Sequence, residues 1–214
     1  PIAQRMNPSI FLFLCSSFAD VAPLLEQACP MELQGKVVTF IPTASIPESY
    51  TEYVRLGQES LEGLGLRVLP LDVSKASPEE IKVSLSQSDL IYVSGGNTFY
   101  LLQELKRKGA DTLLQREIRS GKPYIGESAG AMILAPSVEY VQLMDETQVA
   151  PELTSFVALG AITKFPLPHY KSFPFAEIVE NILATYGDQL PLVPITNHQA
   201  IIVRDSELTT VTKE

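Results

Sequence analysis

The sequence predicts an α/β domain of the doubly wound type, an αβα sandwich in which helices cover both faces of a mostly parallel sheet. Short apolar runs alternate with longer segments of helical periodicity along the first 135 residues. These runs are apolar throughout, as expected for strands that are buried on both faces. With 214 residues, 45% of them hydrophobic, the chain can form one sizeable core, so we expect a single domain.

The first five strands are each predicted from a compact apolar run, and each of the first four is followed by a helix. The predicted order is strand 10–15, helix 22–28, strand 36–41, helix 50–64, strand 67–71, helix 78–87, strand 90–93, helix 98–108, helix 113–119 and a strand opening at 124. Sites of doubly wound sheets lie beyond the carboxyl ends of the strands. Loops 42–45, 94–98 and 126–130 are therefore candidates for a site, although each is also compatible with a plain βα connection, which is the favoured interpretation for 42–45.

The pattern changes after residue 135. Residues 136–164 are irregular and are predicted to form loops around a site, with one strand near 161–164. A helix is expected over 177–186, and closing strands at Ile195 and 200–203. Residues 1–9 are predicted to be a disordered or tag-like terminus, which leaves 10–214 as the single predicted domain.

Charge and composition exclude several classes of partner. The net charge is −9 and there is no block of Lys and Arg, which argues against nucleic acid or an anionic membrane surface. Apolar runs are too short to span a bilayer, and run 10–15 is too short for a signal core, so a cytoplasmic protein is expected. Cys15 and Cys29 lack metal-ligand spacing and are expected to be reduced.

The most informative segment is 124–132, Tyr-Ile-Gly-Glu-Ser-Ala-Gly-Ala-Met. An apolar strand here runs into Gly-x-Ser-x-Gly and then into the start of a helix of small residues, which is typical of a nucleophile elbow. Glycine on either side of Ser128 gives room for a strained turn and for a substrate. The helix that follows offers unpaired N–H groups where an oxyanion could form. An ordinary glycine-rich turn is the alternative.

A second loop, residues 94–98, has the sequence Ser-Gly-Gly-Asn-Thr between a predicted strand and a predicted helix. Its adjacent glycines allow a backbone N–H to point into the site, where it would complement the N–H of Ala129. Asn97 or Thr98 is the expected N-cap of the helix. The chain has two histidines, His169 and His198, so a Ser-His mechanism must use one of them.

Three motifs in this order resemble the peptidase E (aspartyl dipeptidase) family of serine peptidases. The first is Gly-Gly-Asn-Thr-Phe at 95–99, with Leu-Leu at 101–102. The second is the serine segment 126–131, whose serine lies 31 residues after Asn97. The third is Phe-Pro-Leu-Pro-His-Tyr at 165–170. The resemblance implies a fold related to the class I glutamine amidotransferases. It also implies hydrolysis of short peptides from the N-terminal end, with no metal and no cofactor.

By motif match, Ser128 would be the nucleophile and His169 the general base. The N–H groups of Gly96 and Ala129 would bind the oxyanion, and Asn97 and Lys171 would contact the substrate.

The chain departs from the family pattern at two points. The family's acidic residue that orients the histidine corresponds to Asn197, and Asp145 is a second candidate for that role. An amide can orient an imidazole, although it stabilises the imidazolium less than a carboxylate. The family's substrate-reading arginine is absent between Arg119 and Arg204, with Lys171 as the nearest cation to the histidine motif. Specificity for N-terminal aspartate is therefore in doubt.

Three other functions are compatible with parts of the pattern. One is a cyanophycinase-like hydrolase of β-aspartyl peptides, and another is a binding or sensor protein that keeps the elbow without turnover. An α/β-hydrolase esterase fits poorly, because about four strands precede the elbow and little chain follows it. The sequence does not distinguish a monomer from a dimer.

Overall fold

A computed structural model describes residues 9–214, so the predicted terminus falls almost entirely outside the described residues. The strands of this part are β1 (Phe11–Cys15), β2 (Val37–Ile41), β3 (Arg67–Pro70), β4 (Leu90–Val93), β5 (Tyr124–Glu127), β6 (Phe165–Leu167), β7 (Leu192–Pro194), β8 (Gln199–Arg204) and β9 (Glu207–Thr212). The α-helices are α1 (Phe18–Ala28), α2 (Glu52–Gly63), α3 (Pro78–Gln87), α4 (Thr98–Lys108), α5 (Ala110–Arg119), α6 (Ala129–Met132) and α7 (Ala176–Tyr186). Two short 3₁₀ helices cover Thr43–Ser45 and Glu139–Leu143.

Seven strands form the central sheet, in the order β3-β2-β4-β5-β1-β8-β9. The first five are parallel to their neighbours, whereas β8 runs antiparallel to both β1 and β9. Strand β5 lies between β4 and β1, so the carboxyl ends of all three strands meet at one edge of the sheet. The serine loop follows β5 at this edge.

Helices pack on both faces of the sheet, which confirms the predicted α/β fold. The side chains of β1 alternate between two hydrophobic clusters: Leu12 and Leu14 face the side that holds α3 to α7, and Phe11 and Phe13 face the side that holds α1 and α2. Since both faces are covered, the whole strand is buried, which explains the unbroken apolar run.

The last third of the chain differs from the prediction in three places. The strand expected at 161–164 is β6, which begins only at Phe165 and pairs with β7 in a separate two-stranded parallel sheet. Ile195 itself follows β7 rather than lying in a strand. Strand β9, which the sequence did not predict, forms an exposed edge rich in threonine. An edge strand needs no apolar run, because few of its side chains enter the core.

Within residues 9–214, no helix combines the length and the apolar character that a membrane crossing requires.

Candidate active site

Ser128 occupies a strained turn between β5 and α6. Its φ of 54° and ψ of −107° lie outside the regions that residues other than glycine usually adopt. The Ser128 N–H donates to the carbonyl of Cys15 at 2.8 Å, which ties the turn to the end of β1. The hydroxyl is therefore held at the edge where β4, β5 and β1 end.

Glycine is required on both sides of this serine by close backbone contacts. A Cβ atom on Gly126 would lie 2.4 Å from the carbonyl oxygen of Gly130, and a Cβ on Gly130 would lie 2.1 Å from that of Val93. Neither carbonyl can move without disturbing a strand or a helix. The Gly-x-Ser-x-Gly pattern thus allows α6 to pack directly against β4.

His169 lies within hydrogen-bond distance of the serine, with 2.8 Å between Ser128 Oγ and His169 Nε2. The backbone at His169 has a φ of 69°, and its N–H donates to Ser16 Oγ at 2.9 Å. The Ser16 hydroxyl donates in turn to the carbonyl of Ile195 at 3.2 Å. Ser16 therefore links the end of β1 to the histidine loop and to the loop that carries Asn197.

The surroundings of His169 favour a neutral imidazole. Burial lowers the pKa of His169 to about 4, and the side-chain amide of Asn197 offsets part of that shift. Asn197 Oδ1 is buried and makes no hydrogen bond of normal geometry to the described residues. The ring of Phe175 stacks on the imidazole, with 4.6 Å between centroids and 25° between planes. At neutral pH, His169 can accept a proton from Ser128.

The loop after β4 lies against the serine. A Cβ on Gly95 would be 3.1 Å from Ser128 Cβ, and Gly96 has a φ of 138° that places it against the carbonyl of Ala44. Within residues 9–214, the N–H groups of Gly96 and Ala129 donate to no backbone carbonyl. Both N–H groups are therefore available as donors, and their role as an oxyanion hole stays a prediction.

Asp145 contacts helix α4 and makes no hydrogen bond to His169. Its Oδ2 accepts from the N–H of Thr98 at 2.9 Å, and burial raises the pKa of this carboxyl to about 6. Asn97 caps the same helix: its Oδ1 accepts from two backbone N–H groups, and its Nδ2 donates to the carbonyl of Glu146 at 2.9 Å. The contacts of Asn97 are structural, and binding of substrate by this residue stays a prediction.

Lys171 lies two residues after His169 and is exposed. Its φ is 60°, and its Nζ lies 5.1 Å from the centroid of the Tyr170 ring. The lysine is therefore near the histidine, on the outer side of the loop that precedes α7.

Two residues of this region, Ser16 and Glu127, were not singled out from the sequence, and the contact of Phe175 with His169 was not predicted. Ser16 and Phe175 contact His169 as described above. Glu127 is 3% exposed, and its Oε2 accepts from the N–H of Phe18 at 2.6 Å. Burial raises the pKa of Glu127 to about 7, partly offset by the backbone N–H groups of Phe18 and Gly95 and by the Tyr92 hydroxyl. Ser16 could have been found from the sequence, because it lies just beyond the end of a predicted strand, where sites of this fold occur. The contacts of Phe175 and Glu127 depend on the fold and leave no local signal.

Comparison with known proteins gives a consistent result. The model of peptidase family S51 matches residues 12–211. The uncharacterised peptidase Lin0382 of Listeria innocua is 52% identical over 199 residues, 93% of this chain and 95% of that protein. Peptidase E of Haemophilus influenzae is 31% identical over 167 residues, covering 75% and 73% of the two chains.

A crystal structure of a Listeria monocytogenes EGD-e protein, provisionally assigned to peptidase E, superposes with a TM-score of 0.92 at 49% identity. It covers 96% of this chain and 100% of that one. These matches confirm the resemblance to peptidase E. The chain belongs to peptidase family S51.

Proposed function

We propose that this peptidase is a serine exopeptidase, which cleaves dipeptides or short peptides at their N-terminal end through an acyl-enzyme on Ser128. The observation that carries the proposal is the 2.8 Å contact between Ser128 Oγ and His169 Nε2 on a strained elbow. A serine hydroxyl is unreactive at neutral pH unless a positioned base takes its proton.

The proposed reaction follows from the positions of these groups. Neutral His169 takes the proton of Ser128 as Oγ attacks the carbonyl carbon of the first peptide bond. The N–H groups of Gly96 and Ala129 bind the oxyanion of the tetrahedral intermediate. His169 then gives its proton to the leaving amine, and a water activated by the same histidine hydrolyses the acyl-enzyme.

Asn197 is proposed as the residue that orients His169. Its amide lies beside the ring and raises the pKa of the histidine, which indicates an interaction with the imidazole. The buried, unpaired Oδ1 of Asn197 can accept from the N–H of the imidazole once substrate tightens the site. Asp145 is proposed to act indirectly, by fixing the N-terminus of α4 next to the loop of Gly96.

The proposal is tested with Ala-Leu and related dipeptides as substrates and a fluorophosphonate probe for the activated serine. Ser128→Ala and His169→Ala are each expected to lower kcat by roughly 10⁴- to 10⁶-fold with the fold intact, and Ser128→Ala to abolish labelling. Ser86→Ala, an exposed serine of α3, is the matched control and should change neither readout. More than about a tenth of the activity left in Ser128→Ala would rule out this nucleophile.

A further inference from the structure

The proposed base lacks the carboxylate that usually accompanies a catalytic histidine. Burial and the neutral amide of Asn197 are the influences on the pKa of His169, and no charged side chain among residues 9–214 contributes to it. During proton transfer the imidazole becomes an imidazolium, and a buried cation is costly unless something compensates its charge. An amide oxygen supplies only part of this compensation.

The face of the imidazole is covered by an aromatic ring. Phe175 lies almost parallel to His169, and the 4.6 Å between their centroids is within the distance over which a cation is attracted to the negative face of a phenyl ring. A neutral imidazole is only weakly attracted to the negative face of the ring. The imidazolium gains more, so the contact is stronger in the state through which the reaction passes.

The position of Phe175 is fixed by the start of α7. Its N–H donates to the carbonyl of Ser172 at 2.7 Å, and its own carbonyl accepts from the N–H of Val179 at 2.9 Å. The ring is partly buried and packs against the larger hydrophobic cluster. It is therefore held in place before the reaction begins and need not reorganise when charge develops.

We infer that Phe175 is a positioning residue whose π face stabilises the imidazolium form of His169, and that it replaces part of the role of the carboxylate that Asn197 cannot fill. The inference rests on the proposed Ser128-His169 mechanism. It adds a residue that acts through the base, whose ring it contacts face to face. It also explains how an asparagine in the orienting position is compatible with turnover.

The experiment replaces Phe175 with phenylalanine analogues of nearly equal size, 4-fluoro and 3,4,5-trifluoro, which progressively weaken the negative face of the ring. We expect kcat to fall stepwise, by about threefold to thirtyfold across the series, with KM nearly constant. The acid limb of kcat/KM should move to lower pH in the same order. A merely structural role for the ring predicts neither trend.

The matched control places the same analogues at Phe156, which is also partly buried and also packs on an aromatic ring, that of Phe99 at 5.3 Å. These variants should keep the original kcat. In the Asn197→Asp background, where a carboxylate is restored, replacing Phe175 by leucine should cost less activity than in the original chain.

A constant kcat across the Phe175 series, in an enzyme that still needs Ser128 and His169, would overturn the inference and leave the proposed function intact. Full hydrolysis by Ser128→Ala would instead overturn the proposed function. The two failures are therefore distinguishable with the same dipeptide assay.

Discussion

At the scale of single residues, the least usual part of the site is the residue proposed to orient His169, because it is an asparagine rather than a carboxylate. Asn197 lies beside the imidazole, whereas Asp145 is hydrogen-bonded to the N-terminus of α4. A carboxylate both orients a histidine and compensates its positive charge, and an amide does only the first fully. Separate replacement of Asn197 and Asp145 therefore tests which of them orients the imidazole and which of them supports the loop that carries Gly96.

Asn197→Asp should retain or raise kcat/KM, because it adds a negative charge next to the imidazolium. Asn197→Ala should lower kcat by roughly tenfold to a thousandfold, since the ring loses its orienting acceptor. The measurement is steady-state hydrolysis of one dipeptide, with Asn181→Ala, an exposed residue of α7, as control. A fully active Asn197→Ala beside an inactive Asp145→Asn would show that the roles are assigned the wrong way round.

Glu127, the residue before Ser128, links protonation to stability. Burial raises its pKa to about 7 in the folded chain, whereas an unfolded glutamate titrates near 4.3. Between these values the folded state holds a proton that the unfolded state has lost. Stability contributed by this group is therefore greatest at low pH and declines as the pH rises towards 7.

We predict that Glu127→Gln flattens the pH dependence of the unfolding free energy between about pH 5.5 and 8. At pH 8 the variant should be more stable than the original chain by on the order of 1 to 3 kcal/mol, because a buried charge has been removed. Urea unfolding at both pH values measures this difference. Asp145 and His169 also have shifted pKa values, but they titrate in both proteins and cancel in the comparison. Equal slopes in the two proteins would refute the role given to Glu127.

At the scale of elements, the elbow depends on the direct contact of α6 with β4. Gly130 makes this contact against the backbone of Val93, where a side chain has no space. Gly63, the last residue of α2, differs in both respects: a Cβ atom added there would have no neighbour within 4 Å, and its φ is not positive. The two glycines therefore offer a matched pair of substitutions.

Gly130→Ala should destabilise the fold by about 2 kcal/mol or more and remove activity, because the new methyl group forces strand and helix apart. Gly63→Ala should be neutral or stabilise the chain by about 0.4 to 1 kcal/mol, through the lower entropy of the unfolded state. Thermal unfolding and the dipeptide assay measure both effects. A Gly130→Ala variant of unchanged Tm would contradict the packing described for the elbow.

The elements around Ser128 could be predicted because their signals are local. The buried strands β4 and β5, the glycines after them and the Asn97 cap each appear in a few neighbouring residues. Strand β6 was misplaced because its pairing partner, β7, is distant along the chain. Strand β9 was missed because most of its side chains are exposed. The contact of Phe175 with His169 depends on where α7 packs, which no short pattern encodes.

At the scale of the whole molecule, the distribution of charge is the feature that bears on the proposed substrate. The chain carries a net charge of −9, and it has no arginine between Arg119 and Arg204. Arg204 donates to the carbonyl of Ala28 and lies over the ring of Phe11, so it is engaged at the end of β8. Lys171 remains the cation nearest to His169 along the chain. A lysine matches a planar carboxylate less well than an arginine does.

We therefore predict a weak preference, or none, for N-terminal aspartate, with small and apolar residues competing well. The values of kcat/KM for Asp-Leu, Ala-Leu and Leu-Leu measure it. Lys171→Ala should lower the value for Asp-Leu alone, while Lys213→Ala, just beyond β9, should change none of the three. A preference for Asp-Leu above about a hundredfold, or about 2.7 kcal/mol, would show that another group binds the aspartate side chain.

The link that Ser16 makes between the histidine loop and the carbonyl of Ile195 has a consequence for biosynthesis. Ser128 leaves the ribosome before His169, and the complete link from His169 through Ser16 to Ile195 can form only when residue 195 has also emerged. Strand β8 follows immediately and must pair beside β1. A nascent chain that stops short of β8 lacks this pairing beside β1, so we expect the proposed serine-histidine pair to assemble only after this strand has been made.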